Sequence, residues 1–228
     1  MANIDASLND RFPLHTAARE GKVAVVEALL KSDPKASAKV DDDGRYPVHW
    51  ATSSNNLEIV LLLANQKSFD PDVQDGSGWT PLMIAASVPS SEPILRLLLQ
   101  NDADVNMKNA TGQSALHFVA SKKNLDVARL LLENKASARV RDTRGQYPIH
   151  RAAAVGSVPM VTLLLKHGSP LNAADNEGFT PLHHAVAEGH GDTALALLKH
   201  EADFTLKSNA DELALDLAPD KENGKASL

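Results

Sequence analysis

The chain contains no cysteine. Disulfides, thiolate zinc sites, cysteine-ligated iron–sulfur clusters and cysteine nucleophiles are therefore excluded, and a reducing compartment suits it. Aromatic residues make up only 4% of the 228 positions. A core must then be built from Leu, Val, Ile and Ala, which favours closely packed helices over a large sandwich or barrel. There is no excess of positive charge. Lys and Arg number 23 against 29 Asp and Glu, a formal net charge of −6, so global steering toward nucleic acid or an anionic membrane is not expected. The longest apolar run, Ile59 to Ala64, falls far short of the ~20 residues of a membrane span. The stretch through His15 has no basic segment leading into an apolar run, so no secretory leader is expected. No Gly-rich phosphate loop, G-x-S-x-G elbow or H-E-x-x-H motif is present, which leaves an enzyme reading without a motif. The 43% apolar content is nonetheless enough to bury a core, and a soluble, intracellular, helix-rich chain is the expectation.

What is present is a repeat. Phe12-Pro13-Leu14-His15-Thr16-Ala17 recurs as Tyr46-Pro47-Val48-His49-Trp50-Ala51, Thr80-Pro81-Leu82-Met83-Ile84-Ala85 and Ser114-Ala115-Leu116-His117-Phe118-Val119. Tyr147-Pro148-Ile149-His150-Arg151-Ala152 and Thr180-Pro181-Leu182-His183-His184-Ala185 follow, with a degenerate seventh copy at Leu213–Ala218. The aliphatic markers Leu14, Val48, Leu82, Leu116, Ile149, Leu182 and Leu215 are spaced by 34, 34, 34, 33, 33 and 33 residues. Period and motif resemble the T-P-L-H-x-A signature of ankyrin repeats. The resemblance implies an all-α solenoid of about seven repeats with degenerate end caps, each repeat two antiparallel helices and a short projecting β-hairpin. Repeats are placed at about 10–41, 42–75, 76–109, 110–142, 143–175, 176–208 and, in part, 209–218. Stacking makes residues 1–218 one domain, with 219–228 a flexible tail.

Local chemistry agrees. Pro13, Pro47, Pro81, Pro148 and Pro181 suit a first helical turn, where the missing N–H costs little. Thr80 and Thr180 can cap that turn, and Pro93 and Pro159 open two second helices. Those helices read as apolar stripes: Val26/Leu29/Leu30, Ile59/Leu62/Leu63, Ile94/Leu98/Leu99, Val127/Leu131/Leu132, Val161/Leu164/Leu165 and Leu195/Leu197/Leu198. Gly44, Gly78, Gly112, Gly145 and Gly178 stand four residues before the marker, where the hairpin needs positive φ. Asp102, Lys135 and Glu201 occupy the left-handed turn after the second helix that Gly168 fills in repeat five. The seventh repeat is expected to stop after one helix, ended by Pro219.

His15, His49, His117, His150 and His183 share one register. Stacked helices lie ~10 Å apart, whereas zinc needs ligands at about 2 Å. These five cannot share an ion, and the reading is that each imidazole bonds the neighbouring turn. His183, His184 and His190 lie close in sequence as a weaker metal alternative. Asp41-Asp42-Asp43 and Asp70/Asp72/Asp75 lack the spacing of a calcium loop and read as solvated hairpin charges or partner contacts. No metal or cofactor is expected.

Binding is what such an array offers, through a concave surface of hairpin tips and first helices. The tips are Asp42, Asp43 and Arg45; Gly76, Ser77 and Trp79; Ala110, Thr111 and Gln113; Thr143, Arg144 and Gln146; and Asn176, Glu177 and Phe179. Asp75 flanks the third set, in register with Asp41. First helices add Trp50, Ile84, Phe118, Arg151 and His184, then Lys122 further along. Tryptophan is enriched at interface hot spots; packing of Trp50 or Trp79 on the adjacent repeat is the alternative. The mixed signs, Asp42, Asp43 and Asp75 against Arg45 and Lys122, suit a protein partner bearing both signs.

Particular stretches go beyond the ankyrin pattern. They are Arg45 with Val48-His49-Trp50-Ala51, Gly78-Trp79-Thr80-Pro81-Leu82 running to Ser87, Leu116-His117-Phe118 with Ala120-Ser121-Lys122, and His150-Arg151-Ala152-Ala153-Ala154. From about Phe12 to about Ala218 the chain resembles the gankyrin family of ankyrin-repeat assembly chaperones of the proteasome regulatory particle. That resemblance implies a monomer of cytoplasm and nucleus. Its partner would be the C-terminal domain of a base ATPase subunit, the third in the usual ordering. The family's basic contacts match Arg45 and Lys122, and its acidic hairpin contacts match Asp43 and Asp75. Gly76 after Asp75 predicts a looser hairpin there. The family's L-x-C-x-E segment corresponds to His184-Ala185-Val186-Ala187-Glu188, which lacks Leu and Cys, so that activity is not implied. The other reading is a general ankyrin scaffold or kinase-inhibitor-like adaptor with another protein partner.

Overall fold

A computed structural model describes residues 10–219. The N-terminal residues before Asp10, and all of the expected tail beyond Pro219, lie outside it. Twelve α-helices are present among the described residues, arranged in two compact units, one ending at Ala110 and the other beginning at Thr111. The first unit holds α1 (Pro13–Arg19), α2 (Val23–Ser32), α3 (Pro47–Ser53), α4 (Leu57–Ala64), α5 (Pro81–Ser87) and α6 (Glu92–Gln100), with a 3-10 turn at Pro34–Ala38. Within it α1, α3 and α5 stack as first helices, and α2, α4 and α6 as second helices. The second unit holds α7 (Ala115–Ser121), α8 (Leu125–Glu133), α9 (Pro148–Ala154), α10 (Val158–Lys166), α11 (Pro181–Ala187) and α12 (Gly191–Lys199). Its first helices α7, α9 and α11 stack in order and end on a 3-10 turn at Ala214–Leu217. The seventh repeat therefore supplies a single 3-10 turn where a helix was expected.

Most helices start at a proline or at a capping side chain. Proline occupies the first turn of α1, α3, α5, α9 and α11, and of α6 and α10 through Pro93 and Pro159. Thr80 and Thr180 accept N–H bonds from Met83 and His183. Asn56 and Asn124 cap α4 and α8. The markers Leu14, Val48, Leu82, Leu116, Ile149 and Leu182 are all buried, with Ile59, Ile94, Leu98, Leu131 and Leu164 from the second helices. The repeat-six stripe is the exception: Leu197 is buried, but Leu195 is 51% and Leu198 41% exposed. Leu198 stands where Leu132 stands two repeats earlier. Leu132 is covered within the stack of α8 and α10, whereas no described second helix follows α12.

The hairpins are closed by hydrogen bonds but are too short to form strands. Asp41 N–H donates to Arg45 carbonyl (2.9 Å) and Gly44 N–H to Asp41 carbonyl (3.1 Å), with the same pair at Asp75, Asp142 and Asp175. Among the described residues the one β-type bridge is Lys207–Leu213. One backbone bond links each hairpin to the next within a unit, as in Gly76 N–H to Asp43 carbonyl (3.0 Å) and Asn176 N–H to Arg144 carbonyl (2.9 Å). Gly76 does not loosen its hairpin as expected; a Cβ there would lie 2.7 Å from the Asp43 carbonyl oxygen, so the approach is tight.

Positive φ falls at the expected turns, at Gly78 (77°) and at Asp102 (62°), Lys135 (69°) and Glu201 (68°). Two substitutions should therefore act in opposite directions. Glu201→Gly relieves an exposed left-handed residue and should be neutral or stabilising by up to about 1 kcal/mol. Gly78→Ala adds a strained φ and a Cβ 2.8 Å from the Ala110 nitrogen, and should cost at least about 2 kcal/mol. Urea midpoints at unchanged m-value measure both.

Candidate protein-interaction site

The site candidates sit on a frame made by a recurring histidine and a recurring aspartate, the histidine replaced by Met83 in repeat three and the aspartate by Asn109 in repeat four. In four of the five histidines Nδ1 accepts the backbone N–H of the residue just before the helix: Tyr46 to His49 (3.0 Å), Ser114 to His117 (3.1 Å), Tyr147 to His150 (3.1 Å) and Thr180 to His183 (3.2 Å). The imidazole thus does the work of the glutamate in a capping box. The proton then resides on Nε2, which donates to carbonyls of the next hairpin. His49 reaches Val73 and Trp79 (3.2 and 3.0 Å), His117 reaches Gln146 (3.1 Å), His150 reaches Ala173 (3.0 Å) and His183 reaches Glu212 (3.3 Å). His15 bonds Lys39 and Arg45 carbonyls. The expected structural role of this register is what the geometry displays. Among the described residues no three His, Asp or Glu side chains are grouped to hold a metal ion, and no helix is long and apolar enough to cross a membrane.

Seven residues before the marker stand Asp41, Asp75, Asp142 and Asp175. Each uses Oδ1 to accept two N–H groups of its own turn: Asp43 and Arg45, Ser77 and Trp79, Arg144 and Gln146, Glu177 and Phe179, all at 2.8–3.0 Å. Oδ2 is left for a side chain. It takes Trp50 Nε1 at Asp41 (2.7 Å), Arg45 Nε at Asp75 (3.4 Å), Arg151 at Asp142 (2.9 Å), and both Gln146 Nε2 and His184 Nε2 at Asp175 (2.9 Å each). Burial pushes the Asp41, Asp142 and Asp175 carboxyls up, but these hydrogen bonds outweigh it and hold them below the usual carboxylate range. Sequence reasoning missed this role. The available signal was Asp recurring three residues before the hairpin glycine, the pattern of an Asx turn.

The frame decides how much of each candidate side chain is available. In the first unit, Asp42 and Asp43 are exposed at the hairpin tip, and Asp42 pairs with exposed Arg11 at 2.9 Å. Arg45, expected as an exposed charge, is 36% exposed; it pairs with Asp75, whose side chain is 5% exposed, and lies over the Trp50 ring at 4.7 Å. Arg19 approaches the same ring at 5.5 Å. Trp50, Trp79 and Ile84 are half-buried. Trp50 therefore packs within the unit and also presents an edge. Asp75 is buried with both oxygens used, so it acts through Arg45. In the second unit, Phe118 is half-buried and Lys122 exposed. Arg151 is 23% exposed over Asp142, which is 2% exposed. The arrangement offers hydrogen-bonding and charged contacts of both signs on a rigid scaffold.

The family described as ankyrin repeats (3 copies) matches residues 1–75, 65–142 and 116–208. The chain belongs to the ankyrin-repeat family. No curated protein matches it. Among solved structures it is similar to the ankyrin repeat domain of Bcl-3, a member of the IkappaB protein family, with TM-score 0.78 and 28% identity over 93% of this chain and 96% of that one. It is also similar to an ankyrin repeat domain from Acinetobacter baumannii AYE, with TM-score 0.75 and 27% identity over 85% of this chain and all of that one (100%). The family and fold are those of protein-interaction scaffolds, typically without catalytic activity.

The histidine frame makes stability depend on pH. Burial, then the neighbouring His184, lowers the His150 pKa to about 4, and burial also lowers His15, His49 and His183. Between about 6.5 and 4 the unfolded chain binds more protons than the folded one. The contribution is complete above pH 6.5 and is lost as pH falls toward 4. His150 alone should account for about 3 kcal/mol. Urea titrations at pH 7 and 4.5 should show this loss, and His150→Gln should flatten the pH dependence.

Proposed function

We propose that the chain is an assembly chaperone of the proteasome regulatory particle, acting in the cytoplasm and nucleus. Its partner would be the C-terminal domain of the third base ATPase subunit. It would act by stoichiometric binding, holding that domain and sterically delaying the next assembly step. The observation that carries the reading is the pairing of family-like stretches with side chains of the right charge at accessible places. Lys122 is exposed at the end of α7, and Asp42 and Asp43 are exposed at a hairpin tip. Arg45 and Trp50 form a cation–π pair beside that tip. Basic residues would meet partner carboxylates, and the acidic tip would meet partner cations.

The cleanest probe is Lys122, because its exposure separates binding from folding. Lys122→Glu should weaken binding to the purified ATPase domain at least about tenfold while changing stability by less than about 1 kcal/mol. Arg45→Gln should weaken binding and also lower the melting temperature, because it strips buried Asp75 of its cation. Calorimetry with parallel thermal melts distinguishes the two. Unchanged affinity for folded Lys122→Glu would remove the contact. Recovery of a different protein, without proteasomal ATPases, in a pull-down would favour the general scaffold reading.

A further inference from the structure

The second unit contains a cleft of about 450 Å³ formed by the hairpins of repeats five and six and the outer face of α11. Its lining is not uniform. Phe179 forms an aromatic wall, with its ring edge-to-face against His184 at 5.9 Å. Asp175 and His184 form the floor, joined at 2.9 Å, with side chains 3% and 20% exposed. Glu177 and Glu188 are exposed at the rim, as is Arg144. The cleft thus carries three carboxylates against one guanidinium.

The wall and floor of the cleft are held before any ligand arrives. Phe179 is fixed by its N–H to Asp175 Oδ1 (2.9 Å), and by its carbonyl, which accepts from Asp175 N–H (2.9 Å). His184 is fixed by Asp175, and Asp175 by Gln146. A site whose walls are already ordered loses less to immobilisation on binding. The chemistry that fits an aromatic face under an acidic rim is a weakly hydrated, planar cation, which stacks on the ring while its N–H groups reach carboxylates. A bare metal ion fits less well, since Asp175 is spent on its turn and on two side chains, and no cluster of three ligands is present among the described residues.

We infer that this cleft receives an arginine side chain of a protein partner, with the aromatic ring of Phe179 beneath the guanidinium and Glu177 and Glu188 as its carboxylate acceptors. The volume exceeds one side chain, so the arginine enters with its flanking backbone. Arg144, on the neighbouring hairpin tip where its carbonyl accepts from Asn176 N–H (2.9 Å), selects a segment with a carboxylate close to that arginine. The inference rests on the chain being a protein-interaction scaffold, but not on which protein it binds.

The test uses the full chain and two small probes, N-acetyl-arginine amide and its uncharged near-isostere N-acetyl-citrulline amide, followed by heteronuclear NMR. The arginine probe should saturate in the millimolar range, with shifts concentrated at Phe179, His184 and Glu188, and the citrulline probe should bind at least about fivefold more weakly. Glu188→Gln, at an exposed position, should keep the melting temperature and weaken the arginine probe about threefold or more. Phe179→Leu, which keeps the wall apolar but removes the ring, should weaken it by a similar factor. Absence of saturation, shifts confined to other residues, or equal binding of citrulline would overturn the inference. Because the probes need no proteasomal subunit, success here with failure of the ATPase-domain calorimetry rejects the partner alone, and the reverse result rejects the cleft alone.

Discussion

The binding face depends on a recurring neutral imidazole that, at His49, His117, His150 and His183, bonds in two directions. Nδ1 closes the start of its own helix, and Nε2 ties that helix to the backbone of the following hairpin. Because Nδ1 faces an N–H donor, a second proton has nowhere to bond, and the ring must stay neutral to fit. An aliphatic core can bury helices against one another without setting their register; the imidazole sets it, by a directional bond with little slack. Met83 takes this position in the third repeat, where a thioether has no proton to give.

The aspartates add a second layer. A carboxylate has two oxygens, and here one is committed to the turn while the other is offered to a side chain. Whatever occupies that second place becomes part of the surface: Trp50 at Asp41, Arg45 at Asp75, Arg151 at Asp142, His184 and Gln146 at Asp175. Trp50, Arg45, Arg151 and His184 are therefore positioned by a carboxylate instead of standing free, while Asp42, Asp43 and Lys122 are exposed. This is why the exposed Lys122 and the paired Arg45 should respond so differently to substitution, although both are cations on the same kind of face.

Much of this was legible from residue spacing. Marker, proline, cap and glycine positions each depend on neighbours within a few residues, and the helix starts and left-handed turns lie where the sequence places them. The bonds across repeats were less legible. Arg45 and Asp75 are thirty positions apart, and the periodic pattern aligns Asp75 with Asp41 without saying which cation comes to it. Apolar content also misled in repeat six, where Leu195 and Leu198 extend the stripe but remain exposed. Leu195 shares its register with Leu61 of α4, which is 41% exposed although α6 stacks on α4; apolarity reports what a side chain prefers, while burial depends on the helix face it occupies and on whether another layer arrives to cover it.

The imidazole bonds of this register all run forward along the chain, from a first helix toward the hairpin that follows it, and this makes the two ends of a stack unequal. Within this ladder, removing a repeat from the leading end leaves backbone carbonyls without their imidazole, which water can satisfy. Removing one from the trailing end leaves a buried ring with its N–H unmatched. The short segment after α12 matters for this reason: the Glu212 carbonyl, which closes the Ser208–Glu212 turn just before the 3-10 turn, receives the bond from His183. Slight as it is, it acts as the terminal keystone of the second unit. A boundary drawn before Glu212 would cut through the frame, whereas one drawn after Leu217 would leave it whole.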